Sequence, residues 1–126
     1  MEKCMKFLCL AYGAEKDWNV LTTGERNALL AQDEVIRGRG ATMAAVQNAV
    51  TTVRAWDGVP VTTDATFAKS SVPLAGFSII EAADVEEVVR LVAGTPCARA
   101  KGAIEVRPIL AINDAGDPVS KKPISL

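Results

Sequence analysis

The chain has 126 residues, enough for one domain with one core and too few for a catalytic domain beside a separate binding domain. Its 14 basic and 15 acidic side chains leave a net charge of −1, which gives no general attraction to nucleic acid or to anionic membranes. Histidine is absent, which removes the commonest general base, the Ser-His and Cys-His nucleophile pairs and nearly all zinc sites.

Residues 7–12 form the apolar stretch nearest the N-terminus, and it is six residues long. A signal-peptide core needs roughly 7–15 apolar residues and a membrane span about 18 or more, so a cytoplasmic location is expected. Cys4, Cys9 and Cys97 are odd in number and lack CxxC spacing, which argues against a disulfide framework and a metal cluster. No metal and no cofactor are expected.

Residues 6–12 show no helical spacing and stop at Gly13, which predicts a first strand with Cys9 as a small hydrophobe. Residues 13–21 read as a polar loop carrying Trp18. Thr22 and Glu25 have capping-box spacing. A helix over 23–39 follows, with Ala28, Leu29, Leu30, Ala31, Val35 and Ile36 as its apolar stripe. Arg37, Gly38, Arg39 and Gly40 suit its C-terminal end. Residues 41–46 predict a second strand, and 50–56 with 59–63 predict a hairpin around Asp57-Gly58. A polar loop over 64–72 carries Phe67 and closes at Pro73.

Residues 76–81 predict a further strand. Asp84 then stands as a helix N-cap with Glu87 three positions on, again capping-box spacing. Val85, Val88, Val89 and Val92 follow at the helical period. Gly94, Thr95 and Pro96 end that helix, and Cys97 falls in a loop where its thiol is accessible. Residues 103–110 alternate as a last strand, in which Pro108 requires an edge or a bulge. Residues 1–112 are expected to form the domain and 113–126 a loose tail.

The element order is that of an α+β, ferredoxin-like βαββαβ fold with an extra hairpin: an antiparallel sheet with two helices on one face. Two helices cover one face only, yet large apolar residues fall on both: Phe7, Cys9 and Ala11 against Leu8, Leu10 and Tyr12 in the first strand, Phe77 and Ile79 against Ser78 and Ile80, and Ile104 and Val106 against Glu105, Arg107 and Ile109. Each large apolar side chain left wet forgoes roughly 1.5–3 kcal/mol. A homodimer through sheet–sheet packing is therefore expected.

Six residues stand out as candidate site groups. Asp64, just after a strand, is either a general acid or base in a cleft or a loop cap that holds backbone donors. Glu105 and Arg107 share a strand face and can form an ion pair or bind a carboxylate through the guanidinium fork. Arg54 shares a face with Trp56, as an anion-and-ring wall or a stacked surface pair. Tyr12 ends the first strand, and Asp33 interrupts the helical stripe between Leu29 and Ile36.

Several stretches resemble the YCII-related, DGPF-domain family. These are 5–13 (Met-Lys-Phe-Leu-Cys-Leu-Ala-Tyr-Gly), 18–22 (Trp-Asn-Val-Leu-Thr), 74–77 (Leu-Ala-Gly-Phe) and the close, 102–109 (Gly-Ala-Ile-Glu-Val-Arg-Pro-Ile). The centre, 61–69 (Val-Thr-Thr-Asp-Ala-Thr-Phe-Ala-Lys), resembles the signature Val-Thr-Asp-Gly-Pro-Phe-Ala-Glu-Thr-Lys. The likeness spans about residues 5–110, with Met5 the usual start and 1–4 an extension.

The resemblance implies a dimeric α/β barrel in which two ferredoxin-like sheets close face to face. It implies two functional precedents: enzymes with a His-Asp pair in the cleft, and regulatory proteins linked to extracytoplasmic-function sigma factors. The chain departs from the signature at Ala65-Thr66 in place of Gly-Pro, at Lys69 in place of Glu, and in having no histidine. The first expectation is thus a regulatory module that binds a small ligand or a protein such as a sigma factor. The alternative is a cofactor-independent lyase, isomerase or dehydrohalogenase acting on a small anionic ring compound or lactone. There Asp64 moves the proton and Arg54 or Arg107 holds the anion. Neither nucleic acid nor membrane is an expected partner.

Overall fold

The computed structural model describes residues 4–112. The elements run β1 (Met5–Tyr12), α1 (Glu15–Asn19), α2 (Thr23–Gly38), β2 (Thr42–Ala45), β3 (Thr52–Arg54), β4 (Val61–Thr63), β5 (Leu74–Ala82), α3 (Val85–Val92), α4 (Pro96–Arg99) and β6 (Ala103–Pro108). Four strands make one sheet in the order β2-β5-β1-β6, and every neighbouring pair is antiparallel. β5 thus lies between β1 and β2, the split βαβ arrangement of a ferredoxin-like α+β fold. β6 is an edge strand, and Pro108 ends it opposite Phe7, so its missing N–H interrupts no central ladder.

The two-residue period divides the sheet into unlike faces. Phe7, Cys9, Ser78, Ile80 and Ala82 are buried. Ile36 of α2 and Val88 and Val92 of α3 pack onto Phe7, Cys9, Ile80 and Ala82 as one core. The alternate positions, Leu8, Leu10, Phe77 and Ile79, are half-buried on the opposite face. Burying one large aliphatic side chain contributes roughly 1.5–3 kcal/mol, so this cluster is the main source of cohesion.

Both long helices start as expected. Thr22 Oγ1 accepts from Glu25 N at 3.1 Å and Glu25 Oε1 accepts from Thr22 N at 2.8 Å, a complete capping box. Asp84 accepts from Glu87 N at 2.9 Å, but the Glu87 carboxylate takes the N–H of Ala83, one residue before the cap, at 2.7 Å. Gln32 Nε2 donates to Leu91 O at 2.7 Å and ties α2 to α3. Gly40 has φ +89, the left-handed turn that closes the α2 end.

Several expectations are corrected. Residues 13–21 are not simply a loop, because α1 occupies Glu15–Asn19. Its single turn carries no apolar stripe to announce it. Arg26 holds its end, donating to Trp18 O at 3.2 Å and Asn19 O at 2.7 Å with the guanidinium 5.9 Å from the Trp18 ring. The segment after Pro96 forms α4, so Cys97 sits half-buried on a helical turn and not on an open loop. The inward line of α2 is half-buried Leu29, Gln32 and Asp33 with buried Ile36, while Leu30 and Val35 face outward.

The hairpin strands are shorter than expected and pair only with each other, as a separate two-stranded arm. Trp56 and Phe67 on this excursion are 83% and 72% exposed. The expected tail, 113–126, lies outside the described residues.

Candidate ligand-binding cavity

A cavity of about 230 Å³ lies between the core face of the sheet and the helices. It opens at the end of the sheet where β2 meets β5. Small residues dominate there: Ala45 from β2, Gly76 from β5 and Ala11 from β1. At the other end of the same face, Phe7, Ile80 and Val88 fill the space. Ile36 and Val92 floor the cavity, Met43 and Ile104 complete its apolar wall, and Pro96 and Cys97 bring α4 to its mouth. A second cavity of about 270 Å³, lined by Trp18, Glu15 and Pro73, shares Ala75, Pro96 and Cys97 with the first.

Close backbone approach fixes this corner. A Cβ on Gly76 would lie 2.4 Å from Ala44 O, and one on Gly13 would lie 2.9 Å from Cys97 Sγ. Gly102 N donates to Cys97 O at 3.0 Å, which anchors α4 against the start of β6.

Six residues with polar or thiol side chains line the cavity: Cys9, Asp33, Arg37, Ser78, Thr95 and Cys97. Thr95 Oγ1 is already committed to Val92 O at 2.6 Å. Burial raises the Asp33 carboxyl from its ordinary value, and the Arg37 charge opposes that rise. Arg37 is exposed at the rim and pairs with Glu34. Burial raises the Cys97 thiol, and the negative charge of Asp33 adds to the rise. Cys9 is raised by burial, against a hydrogen bond with Ser78. Both thiols are therefore neutral near pH 7 and behave as soft wall, not as thiolate nucleophiles.

The sequence-derived candidates fall into three places. Asp33 lines the cavity. Tyr12, Glu105 and Arg107 come together on the opposite, helix-free face. Arg107 Nη2 lies 3.8 Å from Glu105 Oε1. Desolvation raises the Tyr12 hydroxyl, as do its hydrogen bond to Glu105 and the Glu105 charge, while Arg107 opposes them.

Arg54 lies on the arm, 5.1 Å from the Trp56 ring. Asp64 follows β4 on an exposed turn and lines neither cavity. Ser78 and Cys97 did not emerge from the sequence as site residues. Ser78 had a usable signal, a polar residue at the same parity as Ile80. Cys97 had none, since its place depends on α4.

Fold and cavity together define a ferredoxin-like α+β domain with a small, largely apolar cavity under its helices. The chain belongs to the YCII-related family, whose domain model matches residues 5–113. None of the curated proteins matches it. No helix among the described residues is long and apolar enough to cross a membrane, and no group of three or more acidic, Cys or His side chains there could hold a metal ion.

Proposed function

We propose that this YCII-related chain is a regulatory module that binds a small ligand in the cavity between sheet and helices. The observation that carries the reading is a void of about 230 Å³ with largely apolar walls and one inward carboxyl, Asp33. Pockets of this kind, mostly hydrophobic with few convergent polar groups, are the usual form of small-molecule sites. The anion expected from Arg54 and Arg107 would have to bind elsewhere, since both lie outside the cavity.

The working unit in this reading is a homodimer. Leu8, Leu10, Phe77 and Ile79 form an apolar strip on the face that the helices leave uncovered, and a second copy packed sheet to sheet would remove it from water. A sigma factor of the extracytoplasmic-function type is the protein partner that the DGPF resemblance points to, and co-purification tests it.

The direct test of the ligand reading is a fragment screen on the full chain followed by ¹H–¹⁵N NMR. Binders are expected to shift the amides of Asp33, Ser78 and Cys97. Binders that shift only the arm or only Tyr12, Glu105 and Arg107 would refute it.

A further inference from the structure

We infer that the cavity takes a compact organic cation: an apolar body with one ammonium group that pairs with Asp33. This deepens the ligand-binding reading above and rests on it. Asp33 projects from α2 into the cavity. Among the described residues, no hydrogen bond or ion pair engages its carboxyl. The cation that acts on it, Arg37, is exposed and held by Glu34 at the rim. A carboxylate drawn out of water without a partner is unfavourable, and a ligand ammonium supplies the missing partner.

The remaining polar groups offer a ligand little else. Arg37 is paired with Glu34 at the rim, Thr95 is spent on Val92 O, Ser78 is engaged with Cys9, and the Cys97 thiol is neutral. The rest of the ligand is therefore apolar. A carboxylate ligand entering the same space would meet the charge of Asp33. Size narrows the class further. A dry cavity of about 150 Å³ accepts benzene, so about 230 Å³ accepts roughly nine non-hydrogen atoms. A ring or short branched chain bearing one aminomethyl group matches that volume.

The test titrates the full chain with three near-isosteric probes, benzylamine, benzyl alcohol and benzoate, by calorimetry and ¹H–¹⁵N NMR. Benzylamine is expected to bind at least about tenfold more tightly than benzyl alcohol, the worth of one charge-assisted hydrogen bond. Benzoate is expected to bind most weakly. Asp33→Asn is expected to bring benzylamine down to the alcohol's affinity and leave the alcohol unchanged, which also reports an intact cavity. Should Asp33→Asn fail to fold, the ¹³C carboxyl resonance of Asp33 in the unaltered chain decides. It moves with benzylamine and not with benzyl alcohol.

Benzyl alcohol or benzoate binding in the cavity as tightly as the amine would overturn the cation and leave the cavity reading standing. If none of the three perturbs Asp33, Ser78 or Cys97, both readings fail.

Discussion

Gly102→Ala and Gly24→Ala add the same single carbon and are expected to move stability in opposite directions. At Gly102 the new Cβ would lie 1.9 Å from Tyr12 O and 2.7 Å from Cys97 O. Both are backbone atoms, so no rotamer change relieves the clash. Real Cβ contacts essentially never fall below 3.0 Å, and β1 must therefore part from the Gly102 backbone by more than an ångström. That loosens the Tyr12–Ala103 register where β6 joins β1, and it strains the Gly102 N–H bond to Cys97 O.

Overpacking of this kind costs about 1–3 kcal/mol and each weakened hydrogen bond about 0.5–1.5, which sums to roughly 2–5 kcal/mol. Gly24 lies in the first turn of α2, without a positive φ, and an added Cβ meets nothing within 4 Å. Alanine there narrows the unfolded ensemble and stabilises by about 0.4–1 kcal/mol. Urea unfolding followed by circular dichroism reads both. With a slope of about 1–3 kcal/mol per molar urea, Gly102→Ala should move the midpoint down by roughly 0.7 M or more. A Gly102→Ala midpoint within error of the parent would refute the close approach of β1, α4 and β6.

Ile36→Ala empties a core position that is 1% exposed and should cost about 2–5 kcal/mol in the same assay, whereas outward-facing Leu30→Ala should stay within about 1 kcal/mol of the parent. Asp84→Ala removes the side-chain acceptor for Glu87 N and should cost about 1 kcal/mol, read as a lower thermal midpoint. Because burial raises Asp33, the folded chain binds that proton more tightly than the unfolded chain does. The penalty is complete above the folded value and fades as pH falls toward about 4. Any stability advantage of Asp33→Asn must therefore shrink from pH 7 to pH 4, and an advantage that grows on acidification contradicts the burial of that carboxyl. Leu10→Lys on the helix-free face should turn a sedimenting dimer into a monomer with an unchanged circular dichroism spectrum, and a parent chain that sediments as a monomer would sink the sheet–sheet proposal.

The fold was largely legible because its strong periodic signals agree with its tertiary contacts. Val85, Val88, Val89 and Val92 mark a helix by spacing, and the structure buries Val88 and Val92 of that set. Capping residues Thr22 and Asp84 locate both long helices to within a residue. The short elements were not legible. α1 and α4 are about one turn each, and such turns are stabilised by packing and not by their own sequence. The stripe of α2 was read too broadly because Leu30 and Val35 are apolar and yet outward-facing, while polar Gln32 and Asp33 point inward. Asp33 was visible as an acid within the stripe. That it shares a cavity with Ser78 and Cys97 was not, because three separate elements bring those residues together.

The cavity has a physical origin in side-chain length. A helix laid on a sheet closes without voids only if the side chains between them are long enough everywhere. Along β5 the core-facing positions run Gly76, Ser78, Ile80 and Ala82, and the partner positions on β1 run Ala11, Cys9 and Phe7. The bulk therefore lies at the Phe7–Ile80 end, and the Ala11–Gly76 end is left short. Helix α2 lies over the sheet as one rod, fixed by Ile36 in the core cluster and tied to Leu91 O by Gln32. It cannot tilt down onto the short end without lifting off the core, so the gap persists as space. Gly76 reinforces this, since its backbone approaches Ala44 O too closely for any Cβ and no longer residue can fill the gap from that position. Asp33 sits on the span of rod that overhangs the gap, which is why a carboxyl can be carried there at all: it is drawn from water only as far as a space that something else can enter.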